Sequence, residues 1–138
     1  MITVRQYYMN RDIEFRMELT DELRRNAETT VARANTLLNH ALNDRVYLIM
    51  NSQKSFVRSG WRPPVINRAT ANSAPLSKHM TCEAIDIEDI EGELDEWCME
   101  HLSILEEVGL WLEHPSATKS WCHLQTKPPR SGKRVFYP

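Results

Sequence analysis

The spacing of apolar residues changes along the chain and predicts which segments are helices. Between residues 20 and 42 the apolar positions recur every three or four residues, which is the period of an amphipathic helix. Thr20 is a suitable N-terminal cap, and Asp21 and Glu22 suit the first turn. We therefore predict a helix to about Leu42, with His40 as a surface residue near its end. Residues 1–18 have no clean period and predict only an arm or short helix that packs on the body.

A second helical period runs from Glu93 to Val108, and Gly109 is predicted to end it. His101 lies on its apolar face, where a hydrogen-bonded structural histidine is the expected role. Glu106 and Glu107 are predicted to be solvated helix charges.

Short β-prone runs at 46–50, 55–59, 82–87, 110–113 and 121–125 predict strands, and the segment 67–77 predicts a surface loop. The broken tail is predicted to wrap across the body through Val135, Phe136 and Tyr137. The expected fold class is α+β, with a small antiparallel sheet flanked by helices.

Length and charge exclude several classes of protein. The 138 residues predict one domain, and a net charge of −2 without a basic run predicts no nucleic-acid partner. No stretch approaches the roughly 18 apolar residues of a membrane span, and the first residues lack a signal-like apolar region. We therefore expect synthesis as a soluble, cytoplasmic chain. We also expect a monomer. Cys82, Cys98 and Cys122 are predicted to be reduced, although a cysteine metal ligand stays open.

Residue types in three segments indicate a metal site. His79 and Asp86 lie seven residues apart at the start of a predicted strand, and His123 lies in the last one. Two imidazoles and one carboxylate, with a water in the fourth position, form a catalytic rather than a structural zinc site. The alternative for Asp86 is a structural carboxylate that accepts backbone N–H bonds at a strand end.

The alternation of side chains selects a candidate catalytic base. In 82–87, Asp86 shares a face with Ala84 and Cys82, while the isoleucines take the other face. If Leu110, Leu112, Cys122 and Leu124 form the buried side of two paired strands, Glu113 emerges on the same face as His123. Glu113 is therefore the predicted general base.

Ser77-x-His79-x-x-x-x-Ala84-x-Asp86 resembles the SxHxxGxAxD signature of a zinc peptidase family. This family contains the D-alanyl-D-alanine carboxypeptidases and the phage L-alanyl-D-glutamate endolysins, and shares its fold with the Hedgehog signalling domain. SGWRPP, at 59–64, looks like its arginine-bearing turn, and WCHLQ, at 121–125, looks like the strand with its last zinc histidine. The resemblance covers about 59–125 and implies zinc bound by His79, Asp86 and His123.

Two positions depart from the family pattern. Cys82 stands where the family has glycine, so the backbone there either has an ordinary conformation or tolerates strain. Ser120 stands three positions before His123, where many relatives have an acidic catalytic residue. The alternative of a protein that keeps zinc without catalysis depends on this serine.

The resemblance also implies roles for other residues. Pro63 and Pro64 hold Arg62 at a turn, where its guanidinium is expected to meet the substrate or a developing oxyanion. Ser77 and Gln125 are candidates for holding the substrate, and Trp111 and Trp121 are candidates for lining the cleft.

The function expected from these features is a zinc peptidase that cleaves peptidoglycan stem peptides, made without a signal peptide and acting at the bacterial cell wall after release. The sequence leaves open which bond is cut and whether the enzyme is an endopeptidase or a carboxypeptidase. Two alternatives stay open: a zinc-stabilised binding or virion structural protein of the same fold, and a cytosolic scaffold without metal.

Overall fold

The computed structural model describes all residues 1–138 and has an α+β architecture with a five-stranded sheet. The helices are α1 (Val4–Tyr8), α2 (Arg11–Glu14), α3 (Asp21–Asn43), α4 (Pro64–Ala69), α5 (Glu93–Glu100) and α6 (Leu102–Val108). The strands are β1 (Val57–Ser59), β2 (Ala84–Glu88), β3 (Trp111–Glu113), β4 (Trp121–Gln125) and β5 (Val135–Phe136). Short 3-10 turns occupy Arg16–Glu18 and Pro115–Ala117.

The sheet is mixed, whereas the sequence had suggested a purely antiparallel one. Its strand order is β1-β2-β4-β3-β5, and only the last pair, β3 with β5, is parallel. The tail enters beside β3 in the same direction, since the long segment 126–134 lets the chain cross back before it pairs. The tail therefore packs on the body as predicted, through a fifth strand.

Helix α3 confirms the first helical prediction. Thr20 caps it, because its hydroxyl accepts a hydrogen bond from the amide of Leu23 at 3.2 Å. The helix buries Ala27, Thr30, Val31, Ala34, Leu37, Leu38 and Ala41. Leu42, at the predicted end of the helix, is 47% exposed although it is apolar.

The second predicted helix is two helices. The chain breaks at His101, whose φ of −130° and ψ of 45° are not helical. Its ring stacks on Trp97 with centroids 4.3 Å apart, and its Nδ1 donates to the Trp97 carbonyl at 2.7 Å. His101 is thus a structural, hydrogen-bonded residue, and Gly109, with φ of 84°, ends α6.

The run 46–50 was predicted as a strand, but the structure assigns it no strand. Val46 and Leu48 pack against the core while Tyr47 and Ile49 point outward, so the residues alternate as in a strand. No backbone group from Tyr47 to Met50 joins the sheet. The predicted strand 55–59 is present in shortened form as β1.

The N-terminal residues belong to the core. Tyr7 is fully buried, and its hydroxyl donates to the Ala84 carbonyl at 2.8 Å. Gly60 crosses directly over this helix, since a Cβ at Gly60 would lie 1.8 Å from the Tyr7 carbonyl oxygen. Helix α1 therefore fixes the turn that follows β1.

None of the helices combines the length and the hydropathy required to span a bilayer.

Candidate metal centre

Three side chains converge over the middle of the two central strands. Strands β2 and β4 pair so that Asp86 lies opposite His123, and the turn before β2 brings His79 beside them. One ligand atom from each residue lies within 4.8 Å of the other two. His123 lies far from the other two residues in the sequence, and the antiparallel pairing of β2 with β4 brings Asp86 and His123 together.

A tight turn fixes the His79 ring. The hydroxyl of Ser77 accepts a hydrogen bond from the His79 amide at 3.2 Å, and Nδ1 of His79 donates to the Gly60 carbonyl at 2.8 Å. Because Nδ1 carries the proton, Nε2 presents a lone pair. Burial lowers the pKa of His79, which favours this neutral form.

Nε2 of His79 is buried and makes no hydrogen bond, although it lies 3.3 Å from Oδ1 of Asp86. A lone pair that faces a carboxylate oxygen is repelled by it unless a cation lies between them. A buried, unpartnered imidazole nitrogen beside a carboxylate therefore fits a metal ligand.

His123 is held from both sides. Its Nδ1 lies 2.7 Å from Oδ1 of Asp86, and its Nε2 donates to Oε1 of Gln125 at 3.1 Å. Burial opposes the charged ring, but the hydrogen bond with Asp86 and the charge of Asp86 outweigh burial and raise the pKa of His123. A metal ion would take the place of the Nδ1 proton and leave the bond to Gln125 intact.

Asp86 is ionised and ready to bind a cation. Burial alone would raise the pKa of its carboxyl, but the neighbouring His79 and the hydrogen bond from His123 hold that pKa well below its usual range. Both histidines contact Oδ1. A carboxylate and two imidazoles form the donor set of a hydrolytic zinc site, so these residues fit a divalent metal.

Arg62 contacts the other oxygen of Asp86. Its Nη2 lies 3.3 Å from Oδ2, its Nε donates to the Ser59 hydroxyl at 2.9 Å, and its amide donates to the His79 carbonyl at 3.1 Å. Pro63 and Pro64 were expected to hold Arg62 at a turn, and Pro64 is in addition the first residue of α4. This helix occupies the first part of the segment 67–77 that was predicted to be a loop, and it buries Asn67.

The three ligands and Arg62 lie at the bottom of a cleft of about 490 Å³. The segments 70–74 and 76–78 line the cleft, among them Ser77, whose hydroxyl also accepts a hydrogen bond from the His79 amide. The remaining wall residues include Glu113, Ala117, Trp121, Phe136 and Pro138.

Two of the expected substrate contacts are placed differently. Trp111 does not line the cleft, and the guanidinium of Arg134 covers its ring at 4.3 Å. Gln125 lines the cleft but is only 5% exposed. Its side-chain oxygen accepts a hydrogen bond from His123, and its side-chain nitrogen donates to the Lys127 carbonyl at 2.9 Å. Gln125 is therefore placed to orient His123, one of the candidate metal ligands.

Glu113 enters the cleft by the parity predicted from the sequence. Leu110, Leu112, Cys122 and Leu124 are all fully buried, so Glu113 and His123 share the opposite face. Burial raises the pKa of Glu113, the charge of His123 partly offsets this, and the charge of Asp86 adds to it. A carboxylate with a raised pKa beside a metal site has the properties of a general base.

Ser120 does not line the cleft. Its hydroxyl accepts a hydrogen bond from Nη1 of Arg58, whose Nε donates to Glu88 at 2.8 Å. The position that is acidic in many members of the resembled family is thus part of a polar cluster that does not include the ligands.

The cysteines are buried and free, and none belongs to the ligand cluster. Cys82 has a φ of 58°, which is the left-handed conformation that glycine adopts without strain. Its carbonyl accepts a hydrogen bond from the Thr30 hydroxyl at 2.7 Å, and burial raises the pKa of its thiol to about 12. Cys82 therefore tolerates a strained backbone and stays a protonated thiol.

Three further residues at the centre were not among the predicted site residues. Ser59 holds Arg62, the Gly60 carbonyl orients His79, and the ring of Phe136 lies edge-on to His123 with centroids 6.2 Å apart. The contacts of Gly60 and Phe136 join distant segments, so no local pattern marks them, whereas Ser59 lies three residues from Arg62. The one local sign was that Ser59 and Gly60 lie close to Arg62 in the sequence.

Comparisons with protein-family models, with curated proteins and with solved structures found no significant match to this chain.

Proposed function

We propose that this protein is a zinc peptidase with a fold of the Hedgehog and DD-peptidase type. The observation that carries the proposal is the convergence of His79, Asp86 and His123 at the bottom of a cleft whose wall holds Glu113. Two imidazoles and one carboxylate leave a coordination position open on zinc, as hydrolytic sites require.

A zinc ion bound there would supply Lewis acidity, which polarises a peptide carbonyl and lowers the pKa of water to about 7. The chain supplies the remaining chemistry. Glu113 accepts a proton from the attacking water and returns it to the leaving amine, so the amide C–N bond breaks as a C–O bond forms. The raised pKa of Glu113 suits a group that must both take and give a proton.

Arg62 has two tasks in this scheme. Nη2 and Nε hold Asp86 and Ser59, which fixes the orientation of the ligand carboxylate. Its remaining nitrogen, Nη1, has no hydrogen-bond partner in the protein and is available to a substrate carbonyl oxygen. Trp121 and Phe136 form an apolar wall that limits water near the reacting bond.

The substrate we propose is the stem peptide of bacterial peptidoglycan. Support comes from the resemblance of the segment 77–86 to the signature of wall peptidases, and from an open cleft that can accept an extended peptide. In this proposal the protein reaches the cell wall after release from the cytoplasm and acts as a monomer.

One observation favours a second candidate, a non-catalytic zinc-stabilised binding or virion protein. Ser120 replaces an acidic residue and is bonded to Arg58. If Glu113 does not take over the role of base, the centre binds metal without cleaving peptides.

Incubation of the zinc-loaded protein with purified peptidoglycan, followed by mass spectrometry of the released peptides, tests the proposal. We expect peptide fragments with new termini at a single type of bond, and none from a metal-free sample or from Glu113→Gln. Tight zinc binding without any released peptide would favour the second candidate.

A further inference from the structure

The cleft has two cationic side chains in its walls, and they are in different situations. Arg62 is only 12% exposed and pairs with Asp86. Lys78 is exposed, lines the cleft, and its ammonium group makes no ion pair or hydrogen bond. Lys78 is therefore the lysine or arginine of the cleft that no carboxylate of the protein neutralises.

The backbone of Lys78 is held firmly even though its side chain is free. Its carbonyl accepts hydrogen bonds from the Glu83 amide at 2.9 Å and from the Thr81 hydroxyl at 3.2 Å. It also lies between Ser77 and the ligand His79, whose own backbone and ring are fixed. The ammonium group thus starts from a fixed Cα next to the metal centre, which lowers the entropic cost of an ordered contact.

Apart from His123, the other charged groups in the cleft are carboxylates. Asp86 is committed to the histidines and Arg62, and Glu113 is the proposed base. An anionic substrate group approaching this cleft would be repelled by Glu113 unless a nearby cation compensated for it. Lys78 is the free cation available for that purpose.

We infer that Lys78 binds a carboxylate of the substrate and makes the cleft selective for stem peptides with a free acid next to the scissile bond. This inference rests on the proposed function for the identity of the substrate. Stem peptides carry such carboxylates, and their conversion to carboxamides removes the charge while it keeps the shape. The selectivity would therefore distinguish amidated from non-amidated peptides.

The test compares synthetic stem peptides in matched pairs that differ only by one carboxylate or carboxamide. With the zinc-loaded parent we expect amidation at one position to lower kcat/KM by about 10- to 100-fold, mostly through KM, since charge-assisted bonds contribute on this scale. Lys78→Gln should reduce cleavage of the acid to the level of the amide and leave the amide unchanged. Lys78→Arg should keep the preference.

Lys119→Gln is the matched control, because it removes the same charge from an exposed position outside the cleft. A preference for the acid that persists in Lys78→Gln, that is absent from the parent, or that Lys119→Gln also abolishes would overturn the inference.

A peptide-binding experiment distinguishes failure of this inference from failure of the proposed function. Peptide binding to Glu113→Gln is followed by the change in total tryptophan emission, to which Trp121 in the cleft contributes. Preferential binding of the acid that depends on Lys78, with no cleavage by the parent, would keep the inference and remove the peptidase function. Neither binding nor cleavage would refute both.

Discussion

Nη2 of Arg62 lies 3.3 Å from Oδ2 of Asp86, on the carboxylate oxygen that the two histidines do not contact. The carboxylate is thereby divided, with Oδ1 facing the ligand cluster and Oδ2 facing the guanidinium. Arg62 therefore orients Asp86 within the candidate metal centre.

Arg62→Lys tests this arrangement. Lysine keeps the charge but cannot bond Asp86 and Ser59 with one planar group, so we expect turnover to fall by about 10- to 100-fold. Arg58→Lys, which alters an arginine outside the cleft, is the control. Steady-state rates on wall peptides give the answer, and unchanged turnover in Arg62→Lys would show that the role of Arg62 is structural only.

Metal content tests the ligand set. We expect about one zinc per chain, lost when His79, Asp86 or His123 is replaced by alanine, because each supplies a donor atom to the cluster. Cys82→Ala should keep the metal, since its sulfur is not in the cluster. Elemental analysis of folded variants decides this, and full occupancy in His123→Ala would show that the set is wrong.

Gln125 is expected to set the tautomer of His123. Its Oε1 holds the proton on Nε2 at 3.1 Å and so leaves Nδ1 for the metal. Gln125→Leu should weaken zinc affinity about 10- to 100-fold, as loss of such orienting groups does. Gln125→Glu keeps an acceptor and should retain affinity.

Competition with a chelator measures the zinc affinity of both Gln125 variants, and nitrogen NMR of the histidine rings reports the tautomer. Equal affinity in Gln125→Leu, with Nε2 of His123 still protonated, would assign the orientation of the ring to Asp86 alone.

Glu113→Gln preserves size and removes the proton acceptor. General acid–base catalysis contributes about 10²- to 10⁴-fold, so turnover should fall by that factor while zinc content and Tm stay near the parent values. Glu107→Gln, at an exposed position on α6, is the matched control. A normal rate in Glu113→Gln with a loss in Glu106→Gln or Glu107→Gln would move the base to that helix.

Asp95 gives the protein a pH-dependent stability that is separate from the metal centre. Burial, partly offset by hydrogen bonds from Cys122 and Thr118, raises its pKa to about 6. The native protein thus keeps a proton that the unfolded chain releases near pH 4. Stability due to this group is present below about pH 4 and is lost as the pH rises through about 6.

Asp95→Asn should remove this dependence. The free energy of unfolding of the variant minus that of the parent should rise between about pH 4 and pH 6 and stay constant above about pH 7. Urea unfolding across the pH series measures it, with Glu107→Gln as an exposed control. A difference that is independent of pH would show that Asp95 ionises normally.

Local sequence patterns determined a large part of the secondary structure of this protein. The period of the residues in α3, the cap at Thr20 and the stop at Gly109 follow from short-range chemistry, so the sequence predicted them. Alternation also predicted that Glu113 and His123 share a face, because the two-residue repeat of a strand is a local property.

The tertiary structure decided what depends on contacts between distant segments. The break at His101, the extended but unpaired run 46–50, and the parallel pairing of β5 each depend on what packs beside them. The same holds at the metal centre, where Gly60 orients His79, Gln125 orients His123 and Arg62 takes one oxygen of Asp86. The sequence predicted the candidate ligands by residue type, but only the antiparallel register of β2 and β4 brought Asp86 and His123 together, because pairing across the sheet joins residues 37 positions apart.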